Sequence, residues 1–187
     1  MSILQYCLKN RFLEKKLERC RNKLFRIAFS WSHDQMLADD LVQDALTKAL
    51  LRLNQLKKPD VLESWVISIL NNVWRDYLRK QKEFVDIDEY VHFSNDSPES
   101  IHESDRTTYR VREAIGLLPM GQRQVISLVD LEGFSYNEVS QVLEIPVGTV
   151  MSRLNRARKS MMDKLSNENR TENQVVFLHK RQKAGEI

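Results

Sequence analysis

All five glycines of this 187-residue chain lie at position 116 or later, so the first 115 residues contain none. Glycine is the residue that enters left-handed backbone without steric cost, and tight β-hairpin turns depend on it. A stretch this long without glycine is poorly equipped for a strand-and-hairpin architecture. Only four prolines occur, and Leu, Lys, Arg, Glu and Gln, all good helix formers, dominate the remainder. The expected fold class is all-α. The length suits one medium domain or two small ones, and 42% hydrophobic with 29% charged residues describes a globular chain rather than a disordered or fibrous one.

Several roles drop out at this level. No apolar run approaches the roughly 20 residues that cross a bilayer. The opening MSILQYCLKNRF lacks a charged n-region followed by an apolar core, so no secretory signal is expected and a cytoplasmic location is. Cys7 and Cys20 are the only cysteines and His33, His92, His102 and His179 are scattered. Such spacing gives zinc no second pair of ligands, and the cysteines read as reduced thiols. No metal or other cofactor is expected. Paired carboxylates, a nucleophile–base pair and a glycine-rich phosphate loop are all missing from the pattern, so neither enzymatic activity nor a small-molecule substrate is expected.

The net charge of +3 conceals an asymmetry. Between Glu83 and Asp105 stand eight acids (Glu83, Asp86, Asp88, Glu89, Asp96, Glu99, Glu103 and Asp105) and no Lys or Arg, which leaves +11 over the other 164 residues. The segment also carries the turn cluster Ser94-Asn-Asp-Ser-Pro98, and it reads as a linker over 83–106. It separates a front unit, 1–82, from a back unit, 107–166, and a polar tail, 167–187, is expected to fray. Two basic units around an acidic tether suit a polyanionic partner, although charge runs also serve simply as solvated surface.

Within the front unit, helical patterns span about 11–31, 35–53 and 61–81. The second places Leu37, Ala38, Leu41, Val42, Ala45, Leu46, Ala49 and Leu53 on one face and Asp39, Asp40, Gln43 and Asp44 on the other. The segment LNQLKKPD follows as a loop, because Pro59 disfavours helix at Lys58. The third helix is apolar around most of its circumference, as in a largely buried helix. It leaves one polar stripe of Ser68, Asn71, Asn72, Arg75 and Arg79. Among its aromatics, Trp65 is expected in the core, while Trp74 and Tyr77 stay open between packing and stacking on bases.

The back unit reads as four helices. Gly133 is a natural residue to follow the end of the second. Ser135-Tyr-Asn-Glu138 forms a capping box for the third. After the tight turn Glu144-Ile-Pro146, a last helix runs to about Leu165, with Val150, Leu154, Ala157, Met161 and Leu165 on its apolar face. A short helix, a tight turn and a second helix with a basic outer face form a helix-turn-helix, whose second helix enters the major groove. Thr149, Ser152, Arg153, Asn155 and Arg156 supply base-reading groups, while Arg158 and Lys159 suit phosphates.

At these residues the chain resembles a known family. Gly133-Phe-Ser-Tyr-Asn-Glu-Val-Ser140 with Ile145-Pro-Val-Gly-Thr-Val-Met-Ser-Arg-Leu-Asn-Arg-Ala-Arg158 is similar to region 4 of bacterial RNA polymerase sigma factors of the extracytoplasmic-function type, group IV of the sigma-70 superfamily. Ala38-Asp-Asp-Leu-Val-Gln-Asp-Ala45 resembles the acidic region 2.2, and Ser64-Trp-Val-Ile-Ser-Ile-Leu-Asn-Asn-Val-Trp-Arg-Asp-Tyr-Leu-Arg79 resembles regions 2.3 and 2.4. The resemblance implies two small helical domains, sigma regions 2 and 4, joined by the acidic linker. It implies a protein that recruits core RNA polymerase to a subset of promoters and helps melt the −10 region.

Site by site, the resemblance implies that Asp39, Asp40, Leu41, Gln43 and Asp44 dock on the clamp helices of the polymerase's largest subunit, with the flap as a further polymerase contact. The alternative is that these acids only serve the helix dipole. Leu56, Lys57, Lys58 and Asp60 in the loop, with Ser68, Asn71, Asn72, Arg75 and Arg79, would read the −10 element, holding a base taken out of the stack. Thr149, Met151, Ser152, Arg153, Asn155, Arg156 and Lys159 would read the −35 element. Family members often carry an aromatic at the position of Leu56, an Arg at that of Met151 and an aromatic at that of Asn155. The linker either imitates nucleic acid in a basic channel or serves as an extended spacer. A dedicated anti-sigma factor is the remaining partner that the resemblance implies.

Overall fold

The protein is described from a computed structural model, which covers the backbone of residues 3–56, 58–84 and 103–183 and the side chains of 12–56, 58–81 and 108–166. Among the described residues every regular element is helical. Helix α1 (Ile3–Ser32) ends where His33 turns into the left-handed region at φ 54°. Helix α2 (Gln35–Leu51) begins at Asp34, whose carboxylate accepts the Leu37 N–H at 3.0 Å, the capping geometry that aspartate favours. Two 3₁₀ turns, Leu53–Gln55 and Pro59–Val61, carry the chain to α3 (Leu62–Phe84). Lys57 and most of the acidic linker lie outside the described residues.

The back unit opens with α4 (Glu103–Gly116) and α5 (Met120–Ile126). Helix α5 widens into a π turn, Ser127–Leu131, closed by Gly133 at φ 75°. There the Gly133 N–H donates to Val129 O and the Phe134 N–H to Leu128 O. Helix α6 (Tyr136–Leu143) starts in the expected capping box and ends at Glu144 in left-handed backbone, φ 56°. Helix α7 (Val147–Lys183) follows. It runs well past Leu165, where a frayed tail was expected. The sequence 166–183 holds neither Gly nor Pro, and a helix already nucleated extends through such residues without a second nucleation cost.

The two units are docked face to face. One buried cluster runs from Leu24, Ile27 and Trp31 of α1 through Val42 of α2 and Leu70 and Trp74 of α3 to Ile115, Val125, Val142, Val150 and Leu154 of the back unit. A satellite cluster of Leu13, Leu53, Leu56 and Leu62, roofed by Trp65, sits under the loop after α2.

Polar contacts hold the seam. Arg123, buried in α5, donates to Trp31 O at 2.8 Å, to Leu118 O at 3.1 Å and to Gly116 O. One cation thus satisfies carbonyls at the C-terminal ends of α1 and α4, where helix dipoles favour positive charge. The Ser30 hydroxyl donates to the Ser127 hydroxyl at 2.7 Å, and Arg26 pairs with Glu132 through two bonds of 2.8 Å.

Candidate functional site

The acidic face of α2 stands in solvent. Asp39, Asp40, Gln43 and Asp44 are exposed, and Asp39 lies 3.5 Å from the Arg21 guanidinium. The first turn of α2 contains no acid. Dipole stabilisation fades beyond that turn, so the helix has little intrinsic use for these carboxylates. Leu41, which the resemblance implies as a further polymerase contact although the helical period puts it on the apolar face, is 4% exposed and belongs to the core. It shares the buried stripe with Ala38, Val42 and Ala45, and the helical period leaves it no outward orientation.

The loop and the α3 stripe separate into different environments. Leu56, expected as a loop contact to a base, is 5% exposed and packs among Leu13, Leu53 and Leu62. Burial there satisfies its apolar side chain and removes it from the loop surface. Lys58 and Asp60 are exposed; Lys57 is outside the described residues. On α3, Asn72 faces solvent while Asn71 is 2% exposed. The Asn71 amide donates to Val142 O at 3.2 Å and accepts from the Gln124 side chain at 3.2 Å. Arg75 pairs with Glu144 at 2.9 Å, and Arg79 with Asp76. Ser68 donates to Trp65 O, one turn back.

The end of α6 therefore lies over the middle of the stripe, presenting a carbonyl to Asn71 and a carboxylate to Arg75. Trp65, expected in the core, is half-buried and packs against the edge of both apolar clusters. Trp74 is buried, stacks on Tyr77 with ring centroids 5.6 Å apart, and points its indole N–H at Met120 Sδ. In this arrangement both rings serve packing.

The helix-turn-helix forms as the sequence suggests. Ser135 and Glu138 cap α6 reciprocally, and the hydrogen bonds from Ser135 hold the Glu138 carboxyl below its usual range. Ser140 donates to Ile145 O at 2.6 Å and fixes the turn. On α7, Val150, Leu154, Ala157 and Met161 are buried, whereas Met151, Ser152, Asn155, Arg156 and Lys159 are exposed.

Two arginines of α7 are less free than their charge suggests. Arg158, expected at phosphates, makes a two-bond pair with Asp130 of the π turn at 2.6 and 2.9 Å, which raises its pKa further. Arg153 is half-buried, and its guanidinium lies across Gly121 of α5. A Cβ at position 121 would stand 2.9 Å from Nη1 and 3.0 Å from Cζ, so the bare glycine leaves room for it. Thr149 is half-buried.

Sequence reasoning missed the residues that join the units: Arg123, Ser127, Glu132 and Glu144 on one side, Arg26 and Ser30 on the other. Arg123 and Trp31 are 92 positions apart, and no periodicity marks a cation whose partners are carbonyls. A 590 Å³ groove lies along the seam, lined by Phe25 and Phe29 of α1, His33 just after it, and Val111 and Ile115 of α4. Burial, and secondarily the Arg123 charge, lowers the His33 pKa to about 4. No group of His, Cys, Asp and Glu able to hold a metal occurs among the described residues, and none of their helices is long and apolar enough to cross a membrane.

Comparison with known proteins agrees with this geometry. Residues 17–84 match the family model Sigma-70 region 2, and residues 109–161 match Sigma-70, region 4. The chain is 33% identical over 141 residues to the ECF RNA polymerase sigma factor EcfG of Rhodopseudomonas palustris, spanning 74% of this chain and 76% of that protein. It is 32% identical over 149 residues to the RNA polymerase sigma factor SigV of Bacillus subtilis, spanning 79% and 87%. The fold is similar to that of the sigma factor RpoE of Bartonella quintana, solved in complex with the anti-sigma factor NepR. That likeness has a TM-score of 0.66 and 26% identity, over 81% of this chain and 95% of that one. The chain belongs to the extracytoplasmic-function family of RNA polymerase sigma factors, proteins that direct the polymerase to promoters.

Proposed function

We propose that the exposed acids of α2 bind core RNA polymerase, that Asn72 with its neighbours on α3 captures the melted −10 strand, and that the outward face of α7 reads the −35 duplex. The observation that supports this most directly is that the acidic face and the α7 face are both left in solvent, on different units of one chain, without an intramolecular use for most of their polar groups. The chain works by differential binding and not by covalent chemistry, without a cofactor or small-molecule substrate, in the cytoplasm where the polymerase resides. Duplex stacking costs about 1.4 kcal/mol per step, and single-strand capture together with polymerase contacts offsets the melted steps.

Engaging both elements requires the units to part. Elements centred about 25 base pairs apart are separated by about 85 Å of duplex at about 3.4 Å per pair. A compact chain of this length has a radius of gyration of only about 16 Å. Parting the units also uncovers Asn71 and releases Arg75 from Glu144, and both then join the −10 contacts. An anti-sigma factor is a further partner of this chain, as the complex of the similar RpoE with NepR suggests.

Run-off transcription with purified core polymerase tests the reading. A specific start is expected from this chain plus core alone, with Asp40→Lys and Asp44→Lys abolishing it. Asn72→Ala is expected to spare duplex binding and reduce permanganate reactivity of the bubble. Duplex binding that is unchanged by core polymerase, with no specific start, would refute the proposal.

A further inference from the structure

The outward face of α7 has a composition that its geometry makes informative. Successive residues turn by about 100° around a helix axis. Opposite the buried line of Val150, Leu154, Ala157 and Met161 stand Ser152, Asn155, Arg156 and Lys159, all exposed. The neighbouring cations lie to the sides. Arg158 is held by Asp130, and Arg153 is laid over Gly121 toward α5. Arg156 folds back, its Nε donating to Ser152 O at 3.2 Å. Ser152 and Lys159 stand at the centre of the face, and beside them, on the side toward Met151, lies an uncharged exposed carboxamide, that of Asn155.

One turn before it, Met151 is 53% exposed. With Tyr136, Asn155, Lys159 and Met162 it borders a 400 Å³ concavity on the outer side of the motif. A thioether exposed beside an exposed amide, on a helix shaped to enter a groove, contributes nothing to the core.

Major-groove chemistry gives this pair a specific reading. A carboxamide both donates and accepts, so its complement is the adenine edge, with an N6 donor beside the N7 acceptor. Guanine presents two acceptors, which suit a guanidinium. A thymine presents a methyl group, the complement of an apolar side chain. Residues 151 and 155 are separated by about 6 Å along the axis, which is close to two base-pair steps.

We propose that Asn155 selects an adenine in the −35 element, and that Met151 packs on a thymine methyl within about two base pairs of it. The inference rests on the reading of α7 as the −35 reader and specifies what that helix reads.

The test uses the full chain in holoenzyme with core polymerase and a promoter library randomised upstream of a fixed −10 element. Wild type is expected to enrich adenine at one position, and Asn155→Ala to lose that preference alone. Replacing that adenine by 7-deazaadenine, which lacks the N7 acceptor, should weaken wild-type binding about 5- to 150-fold, the range of one bidentate base contact. The same replacement should leave Asn155→Ala unchanged. Uracil in place of the nearby thymine removes one methyl, worth about a fourfold loss for wild type and none for Met151→Ala. Guanine at the selected position, or identical base profiles for wild type and Asn155→Ala, would overturn the proposal. Initiation that ignores the upstream sequence would overturn it while leaving the sigma reading intact, whereas absence of any specific start would remove both.

Discussion

His33 shows how one residue couples chemistry to the assembly. It ends α1 in left-handed backbone and lines the groove between the units. Burial, with the Arg123 charge nearby, lowers its pKa to about 4 from the ordinary value of 6.5. A lowered histidine pKa means that the folded state binds fewer protons than the unfolded state between those two values. Stability is therefore full above about pH 6.5 and declines as pH falls toward 4. The melting temperature of wild type is expected to drop between pH 7 and pH 5, and His33→Gln to flatten that part of the profile. An identical pH dependence in the two proteins, measured by circular dichroism, would exclude His33 as the source. Arg158 carries the complementary lesson: a cation on the outside of a recognition helix that is already paired with Asp130 has less to offer a phosphate than its position suggests.

Among the elements, α6 is short, and eight residues are marginal as an isolated helix. Its start is secured by the Ser135–Glu138 capping box, and its end by the Ser140 bond to Ile145 O. Substituting a serine cap by alanine costs about 1 kcal/mol. Ser135→Ala is expected to lower stability by about that amount and to weaken −35 binding, because α6 sets the approach of α7. Chemical denaturation and a gel-shift titration of holoenzyme on promoter DNA would measure the two effects; unchanged stability would argue that packing alone fixes α6. The π turn is a second element-level device. Its wider coil places Ser127 toward α1 and Asp130 toward α7, so one irregularity in the backbone serves both the seam and the recognition helix.

For the whole molecule, the central feature is the seam, where α6 covers part of the α3 stripe. The exposed Arg75–Glu144 pair contributes little by itself, since solvent-exposed ion pairs are worth at most about 1 kcal/mol. The buried contacts matter more. Arg123→Met leaves the carbonyls of Trp31, Gly116 and Leu118 without their donor, and an unsatisfied buried polar group costs about 1–3 kcal/mol. The substitution is expected to loosen the docking, seen as a larger radius of gyration in small-angle scattering, and to increase binding of a single-stranded −10 oligonucleotide. An unchanged radius with lowered stability would mean that Arg123 supports the back unit alone.

Much of this protein is legible in its sequence because the signals are local. The absence of early glycine, the helical period of α2 and α3, the capping box and the helix-turn-helix pattern each depend on residues a few positions apart, and the backbone obeys them. The acidic face of α2 followed from the same period, and so does the burial of Leu41, which its place in the apolar stripe requires. What the tertiary structure decided is which polar groups are available. Asn71 and Asn72 are neighbours in sequence, yet one is buried against Val142 and Gln124 while the other faces solvent. Arg153 and Arg156 share a helix, yet only the first lies over a glycine of another helix. Leu56 belongs to the loop and is drawn into the satellite core. Availability is set by contacts between segments far apart in the chain, and a pattern with a range of one or two helical turns carries no information about them.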